Sequence, residues 1–209
     1  MKNKIILMLL PFLMGTSIAY AYPKEIILIR HAEKHTETAG SSLSPKGEAR
    51  AIGFSVFYMK NADSLFHGKP DFFIATDPKG SKAIREVQTL LPLSNLLTME
   101  NPGADYTILH PFINKDWAKI RDYLGKAKFN KKIILVCWDH AFLPELAKSL
   151  GVKAELVSDW GHNDFSTIWV INYDNNGRVS EFKAINGDDF YKVYPYKTWE
   201  ELNDKIKPD

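Results

Sequence analysis

The chain has 209 residues, 45% hydrophobic and 25% charged, with 27 Lys and Arg against 25 Asp and Glu. That length holds one substantial core, and the near-neutral balance excludes a broad basic surface for nucleic acid or an acidic membrane. A single cysteine, Cys137, excludes an internal disulfide framework.

The first segment reads as an export signal. Lys2 and Lys4 precede an apolar stretch from Ile5 to about Met14, and Ala19-Tyr20-Ala21 supplies small residues at a cleavage-site spacing. A spanning helix needs about 20 apolar residues, and this run is short and broken by Pro11 and Gly15. The expectation is a signal peptide over 1–21, a single domain over 22–209, a periplasmic or secreted product, and no stable membrane association after cleavage. Two of the 27 basic residues leave with the signal, so the mature chain carries 25 of each sign.

The uninterrupted apolar run Ile26-Ile27-Leu28-Ile29 predicts a strand over 25–31 buried on both faces. Ser44-Pro45 reads as an N-cap followed by proline at the first helical position, and Ala49, Ile52, Val56 and Met59 repeat at helical spacing, so a helix is expected over 45–60. A second buried strand, "DFFIAT", covers 71–76 and leads to a helix over about 81–97, bent or ended near Pro92. A strand at 105–110 and a helix at 115–125 follow. "KKIILVCW" (131–138) is another central strand, with Cys137 inside it as a small buried hydrophobe, and 143–151 is a helix closed by Gly151. Residues 166–185 read as a hairpin turning at Asn175-Asn176-Gly177, and 198–206 as a short amphipathic tail. Alternating strands and helices followed by a hairpin predict a three-layer α/β/α sandwich around a mostly parallel sheet.

In such sheets, ligands bind beyond the carboxyl ends of the strands. His31 directly follows one buried strand and His140 follows another, so both imidazoles are expected on one rim beside Arg30. Arg30 offers a rigid fork of donors suited to phosphate, and Lys82 or Arg85, near the start of the next helix, supplies a second cation. A neutral imidazole can attack phosphorus to form a phosphoramidate that water then hydrolyses. Another reading takes His31, Glu33 and His35 as alternating metal ligands. His67, His110 and His162 have no paired cation at a strand end and read as structural or solvated. Phe66, Phe112, Trp160 and Phe165 read as core or loop anchors that could also stack a substrate ring.

With these residues in place, the chain resembles the histidine phosphatase superfamily, the phosphoglycerate mutase-like fold. "LIRHAEK" is similar to that family's Arg-His-Gly signature, "LSPKGEARA" (43–51) to its Leu-Thr/Ser-x-x-Gly segment, "REVQTLLPLS" (85–94) to its Arg-Ala-x-Gln-Thr helix, and "ILVCWDHAFLPELAKSLG" (134–151) to the segment bearing the second histidine. "DFSTIWVINYD" (164–174) and the Arg-His-Ala-Glu-Lys form resemble a bacterial branch of it. The resemblance implies His31 as the phosphorylated nucleophile, Arg30 and Arg85 as phosphoryl-binding groups, and His140 completing the pocket as a catalytic and phosphate-binding residue. It selects Arg85 over Lys82. It implies no cofactor and no metal, and a small phosphorylated substrate as partner.

Two departures matter. The Thr76–Arg85 loop is longer than the family's, and Ala141 stands where one large branch carries an acid after the second histidine. Glu33, Glu100, Asp105, Asp116 and Asp139 are available acids, none in a matching motif, so the proton donor stays unassigned. A chain without a strong donor is expected to favour good leaving groups such as phosphohistidine, acyl phosphates or aryl phosphates. A non-catalytic phosphate- or sugar-phosphate-binding module on the same fold is the competing expectation.

Overall fold

The computed structural model describes residues 22–35 and 41–186. The expected export signal at 1–21 and the expected amphipathic tail at 198–206 lie outside the described residues. Among the described residues, six strands form one sheet: β1 (Glu25–Arg30), β2 (Phe72–Thr76), β3 (Ile108–Phe112), β4 (Ile133–Trp138), β5 (Thr167–Tyr173) and β6 (Val179–Asn186), in the order β3-β2-β4-β1-β5-β6. β1 pairs parallel with β4, β4 with β2 and β2 with β3, while β5 pairs antiparallel with both β1 and β6. The sheet is mixed and mostly parallel, as the alternation of elements predicts.

β1 and β4 are buried along their whole length because helices cover both faces. Ile27, Ile29, Leu135 and Cys137 turn to one face, where they meet Phe54 and Phe57 of helix α1 (Pro45–Asn61) and Leu90, Leu93 and Leu97 of helix α3 (Arg85–Glu100). Ile26, Leu28, Ile134 and Val136 turn to the other, against Ile120 and Leu124 of α4 (Lys119–Leu124) and Leu143 and Leu146 of α5 (Leu143–Ser149). A strand with a helix on each side needs apolar residues at every position, which explains the unbroken runs in both strands.

Four expectations need adjustment. The helix expected from about 81 begins instead at Arg85, because a one-turn helix, α2 (Pro78–Ser81), ends at Lys82 in a left-handed conformation (φ 55°) that resets the chain direction. Pro92 neither ends nor divides α3, which runs on to Glu100. Burial of Leu90, Leu93 and Leu97, at about 1.5–3 kcal/mol each, outweighs the roughly 3 kcal/mol cost of an interior proline. The strand expected at 105–110 lies at Ile108–Phe112, since Asp105 accepts the Thr107 N–H (2.9 Å) in a local turn, and the edge position tolerates Pro111. The helix expected over 115–125 shortens to α4 (Lys119–Leu124) after a 3-10 turn at Asn114–Asp116, whereas Ser44 caps α1 by accepting the Gly47 N–H (3.2 Å) and the hairpin turns at Gly177 with φ 72°, as expected.

Candidate active site

The sheet order sets β4 between β1 and β2, so the residues after all three strands share one rim, and α3 starts from it. Arg30 and His31 are 5% and 3% exposed, polar groups held at the closed end of a buried strand. His31 Nδ1 lies 2.7 Å from the Ala32 carbonyl oxygen. A carbonyl only accepts, so Nδ1 carries the proton and Nε2 carries the lone pair. Burial, reinforced by the Arg85 and Arg30 charges, lowers the His31 pKa to about 4 against the pull of the Ala32 carbonyl, and the ring is neutral near pH 7. A neutral imidazole with a fixed tautomer and a free Nε2 is the form that attacks an electrophile.

The turn after His31 is gripped from two helices. The Ala32 N–H donates to Thr89 Oγ1 (3.0 Å), and that hydroxyl donates to the Arg85 carbonyl (2.8 Å). Gln88 Oε1 accepts the Leu43 N–H (2.9 Å), and the Ser44 N–H and Oγ–H both donate to the Glu33 carbonyl (2.9 and 3.2 Å). Gly47 lets α1 approach this turn, since a Cβ there would lie 2.1 Å from the Glu33 carbonyl oxygen. The Gly47, Gln88 and Thr89 positions of the sequence motifs are thus clamps on the His31 turn.

Arg30 stacks over Phe165, 3.9 Å from the ring centroid, and its Nη1 donates to the carbonyls of Gly161 (3.5 Å), His162 and Asp164 (3.2 Å). Burial lowers its pKa to about 10 while Asp139, Asp164 and Glu33 oppose the fall, so the guanidinium keeps its charge. Arg85 opens α3, and its charge acts on Arg30, His31 and Glu86. Lys82, the other cation considered, is exposed in the turn before the helix.

His140 is more open, with 21% of its side chain exposed. Its Nδ1 lies 3.1 Å from Asp139 Oδ1, an oblique ion-pair contact outside hydrogen-bond geometry, and its Nε2 lies 3.2 Å from His162 Nδ1. Burial and the Arg30 charge lower the His140 pKa. Burial would raise Asp139, but the Ala141 N–H (3.0 Å), His140 and the Asn114 amide (3.4 Å) bring it below the usual carboxyl range, so it is a carboxylate. The four residues singled out in the sequence therefore lie on one rim: the Arg30 and Arg85 charges act on His31 and on each other, and the Arg30 charge acts on His140.

The remaining acids are placed elsewhere or already engaged. Both Glu33 oxygens accept from buried Arg50, at 2.7 and 2.6 Å, and Lys46 lies 3.5 Å away. This pairing also removes Glu33 from the alternating His31-Glu33-His35 ligand set, and among the described residues no group of three or more His, Cys, Asp or Glu is arranged to hold a metal. Glu100 ends α3, about 22 Å along the helix from Arg85, and pairs with Lys69 at 2.6 Å. Asp116 pairs with Lys119 (3.0 Å), and Asp105 caps its own turn.

Two residues at the site lie outside the set expected from the sequence, which takes His162 as structural or solvated and assigns Glu86 no role. His162 stands in an irregular loop with no motif, and its link to His140 spans 22 positions. Glu86, beside Arg85 on α3, faces inward, 4% exposed, under the rim near Thr76 and Cys137, and burial raises its pKa. Of the loop aromatics, Phe66 stacks on Tyr58 (4.3 Å), Trp160 packs on Trp169 (4.6 Å) and Phe112 meets Tyr123 (5.6 Å), all as anchors; Phe165 alone covers a site residue. His67 pairs with buried Glu25 (2.8 Å) far from the rim, a structural role.

A cleft of about 490 Å³ opens beside Arg30, lined also by Lys34, His35, Lys46 and His162. A second cavity, about 560 Å³, is lined by Tyr22, Ile26, Arg121 and Tyr173 at the opposite end of the sheet and includes none of the rim residues.

No protein-family profile matches the chain, and no curated protein matches it at significance. Solved structures do. SixA from Agrobacterium tumefaciens is 15% identical with a TM-score of 0.51, over 79% of this chain and 100% of that one. The protein histidine phosphatase SixA in complex with tungstate is 13% identical with a TM-score of 0.52, over 78% and 97%. SixA from Nakamurella multipartitia is 15% identical with a TM-score of 0.50, over 79% and 96%. The chain therefore shares the fold of these SixA structures, a phosphoglycerate mutase-like α/β fold with a mostly parallel sheet.

Proposed function

We propose that the chain is an exported, metal-independent phosphatase that hydrolyses phosphomonoesters or other phosphorylated substrates through a phosphohistidine on His31. The observation that carries this reading is the geometry of His31: buried at the end of β1, its Nδ1–H bonded to the Ala32 carbonyl so that Nε2 carries the lone pair, with the Arg85 and Arg30 charges acting on the ring. In the first step His31 Nε2 bonds to phosphorus as the leaving group departs. Arg30 and Arg85 balance the charge on the non-bridging oxygens, and His140 completes the rim beside Arg30. Water then cleaves the P–N bond and returns His31 to its starting form. The tungstate complex of SixA supports an oxyanion as the ligand class of this fold, and the cationic cleft beside Arg30 offers room for the rest of a small phosphorylated substrate.

The test is hydrolysis of p-nitrophenyl phosphate by the chain from Tyr22 onward and by its His31→Ala variant, each with EDTA and with vanadate. Turnover that withstands EDTA, yields to vanadate and disappears in the variant is the expected result. Activity that persists in His31→Ala, or is lost to EDTA, overturns the mechanism. Export is tested separately by fractionating cells that express residues 1–209 and asking whether the product in the periplasm or medium begins at Tyr22.

A further inference from the structure

The reaction proposed above lacks one part, a group that gives a proton to a poor leaving group. Glu33 is locked to Arg50, Glu100 is far along α3, Asp139 is a carboxylate, and Glu86 lies beneath the rim, facing Thr76 and Cys137. His162 is placed differently. Its ring is exposed, its Nδ1 is 3.2 Å from His140 Nε2, and its backbone carbonyl is bonded to Arg30. It therefore touches both a rim imidazole and a rim guanidinium.

The loop that presents it is firmly built. Trp160 is buried against Trp169 and donates Nε1–H to the Asp164 carbonyl (3.0 Å), and the Asp164 N–H closes back on the Gly161 carbonyl (3.0 Å). The Asp164 carboxylate accepts from the N–H groups of Ser166 and Thr167 (3.0 Å each) and from Thr167 Oγ1 (2.6 Å). Three carbonyls of this loop grip Arg30. Such a network holds a side chain in place without burying it.

We propose, on the basis of the phosphohistidine reading, that His162 is the general acid of this site and that its Nε2 exchanges the proton with the leaving group. The arrangement of protons follows from the contacts. Asp139 beside His140 Nδ1 favours a proton on that nitrogen, so His140 Nε2 accepts from His162 Nδ1–H. When the imidazole pair holds one extra proton, that proton sits on His162 Nε2, the only nitrogen of the four not facing Asp139 or the partner ring. As His31 Nε2 bonds to phosphorus, the P–O bond to the leaving group breaks with its electron pair going to oxygen, and that oxygen takes the His162 Nε2 proton. In the second step, water attacks phosphorus, the P–N bond breaks with its pair returning to His31 Nε2, and His162 Nε2 receives the proton released by the water. The pair ends as it began. This donor extends the substrate range to alkyl phosphomonoesters, beyond the good leaving groups expected from the sequence.

The experiment is a leaving-group series, p-nitrophenyl phosphate, phenyl phosphate and glycerol phosphate, run on the wild-type chain, His162→Gln and His31→Ala. Because His162 is exposed, its replacement leaves the core intact. The ratio of wild-type to His162→Gln kcat/KM is expected to grow along the series, reaching a value about 100-fold larger for glycerol phosphate than for p-nitrophenyl phosphate. An equal loss on all three substrates makes His162 a positioning residue for Arg30 and His140 and overturns the proposal. So does a wild-type chain that turns over p-nitrophenyl phosphate but not glycerol phosphate. Failure of the underlying reading looks different, since no turnover of any substrate, or turnover retained in His31→Ala, removes the phosphohistidine step itself.

Discussion

The two strand ends that carry imidazoles are built in opposite ways. After β1, His31 is 3% exposed, its tautomer is fixed by a backbone carbonyl, and its turn is clamped by Thr89, Ser44 and the close approach at Gly47. After β4, His140 is 21% exposed, leans obliquely on Asp139 and meets a second imidazole at its Nε2. The closed end suits a group that must keep one lone pair in one direction. The open end suits groups that gain and lose protons in contact with water. Burial separates the two roles, although both residues are histidines following buried parallel strands.

The largest test of that contrast is removal of each ring. His31→Ala should lower kcat/KM for p-nitrophenyl phosphate by at least about 10⁴-fold, because it removes the proposed nucleophile, while His140→Ala should cost on the order of 10²-fold. Steady-state kinetics with acid-quench trapping of the phosphoenzyme checks both, and comparable losses would collapse the distinction.

Next in size is the support beneath the closed end. Glu33→Gln leaves buried Arg50 facing a neutral amide, and should destabilise the fold by about 3–5 kcal/mol in urea unfolding. The Glu33 carboxyl is pushed up by burial but held below its ordinary range by Arg50. Its stabilisation is therefore present above the unfolded-state value of 4.5 and lost as pH falls through the lower folded value. The variant should lose less stability than wild type in that acid window.

The pH behaviour of His31 comes third. Its folded pKa of about 4 lies below the ordinary 6.5, so the unfolded chain takes up its proton first as pH falls. His31 stabilises the fold by nothing extra above 6.5 but penalises it between 6.5 and 4, on the order of 3 kcal/mol once pH reaches 4. NMR of the ring should show a neutral His31 at pH 5, whereas midpoint titration near 6.5 would mean that the β1 end is open like the β4 end. Smallest of all, Glu100→Gln should change stability by less than about 1 kcal/mol and leave kcat unaltered, since its partner Lys69 is exposed and the pair lies at the wrong end of α3.

Much of the fold was legible in the sequence because its signals are local. Apolar runs marked β1 and β4, Ser44-Pro45 marked the start of α1, and Asn175-Asn176-Gly177 marked the hairpin. The misplacement around 78–84 came from a short helix and a left-handed lysine, neither of which carries a periodic pattern. Pro92 misled for the opposite reason: its local cost is real, but burial of three leucines outweighs it. At the site, Arg30, His31 and His140 could be read because they end unmistakable strands. His162 could not, because an irregular loop has no period and its meeting with His140 is a long-range contact.

The sequence by itself determined the main strands and helices, that the sheet is mostly parallel, and which strand-end residues share its rim, since these follow from periodicity and from the geometry of crossover connections. Only the tertiary structure decided how each polar group is used. Glu33 is bound to Arg50 and cannot act as an acid, Glu86 is turned inward beneath the rim, Arg30 is gripped by the 161–164 carbonyls, and His162 is brought against His140. Such assignments depend on which partner lies within about 3 Å of each atom. That distance is set by the packing of segments far apart in the chain, and no local pattern encodes it.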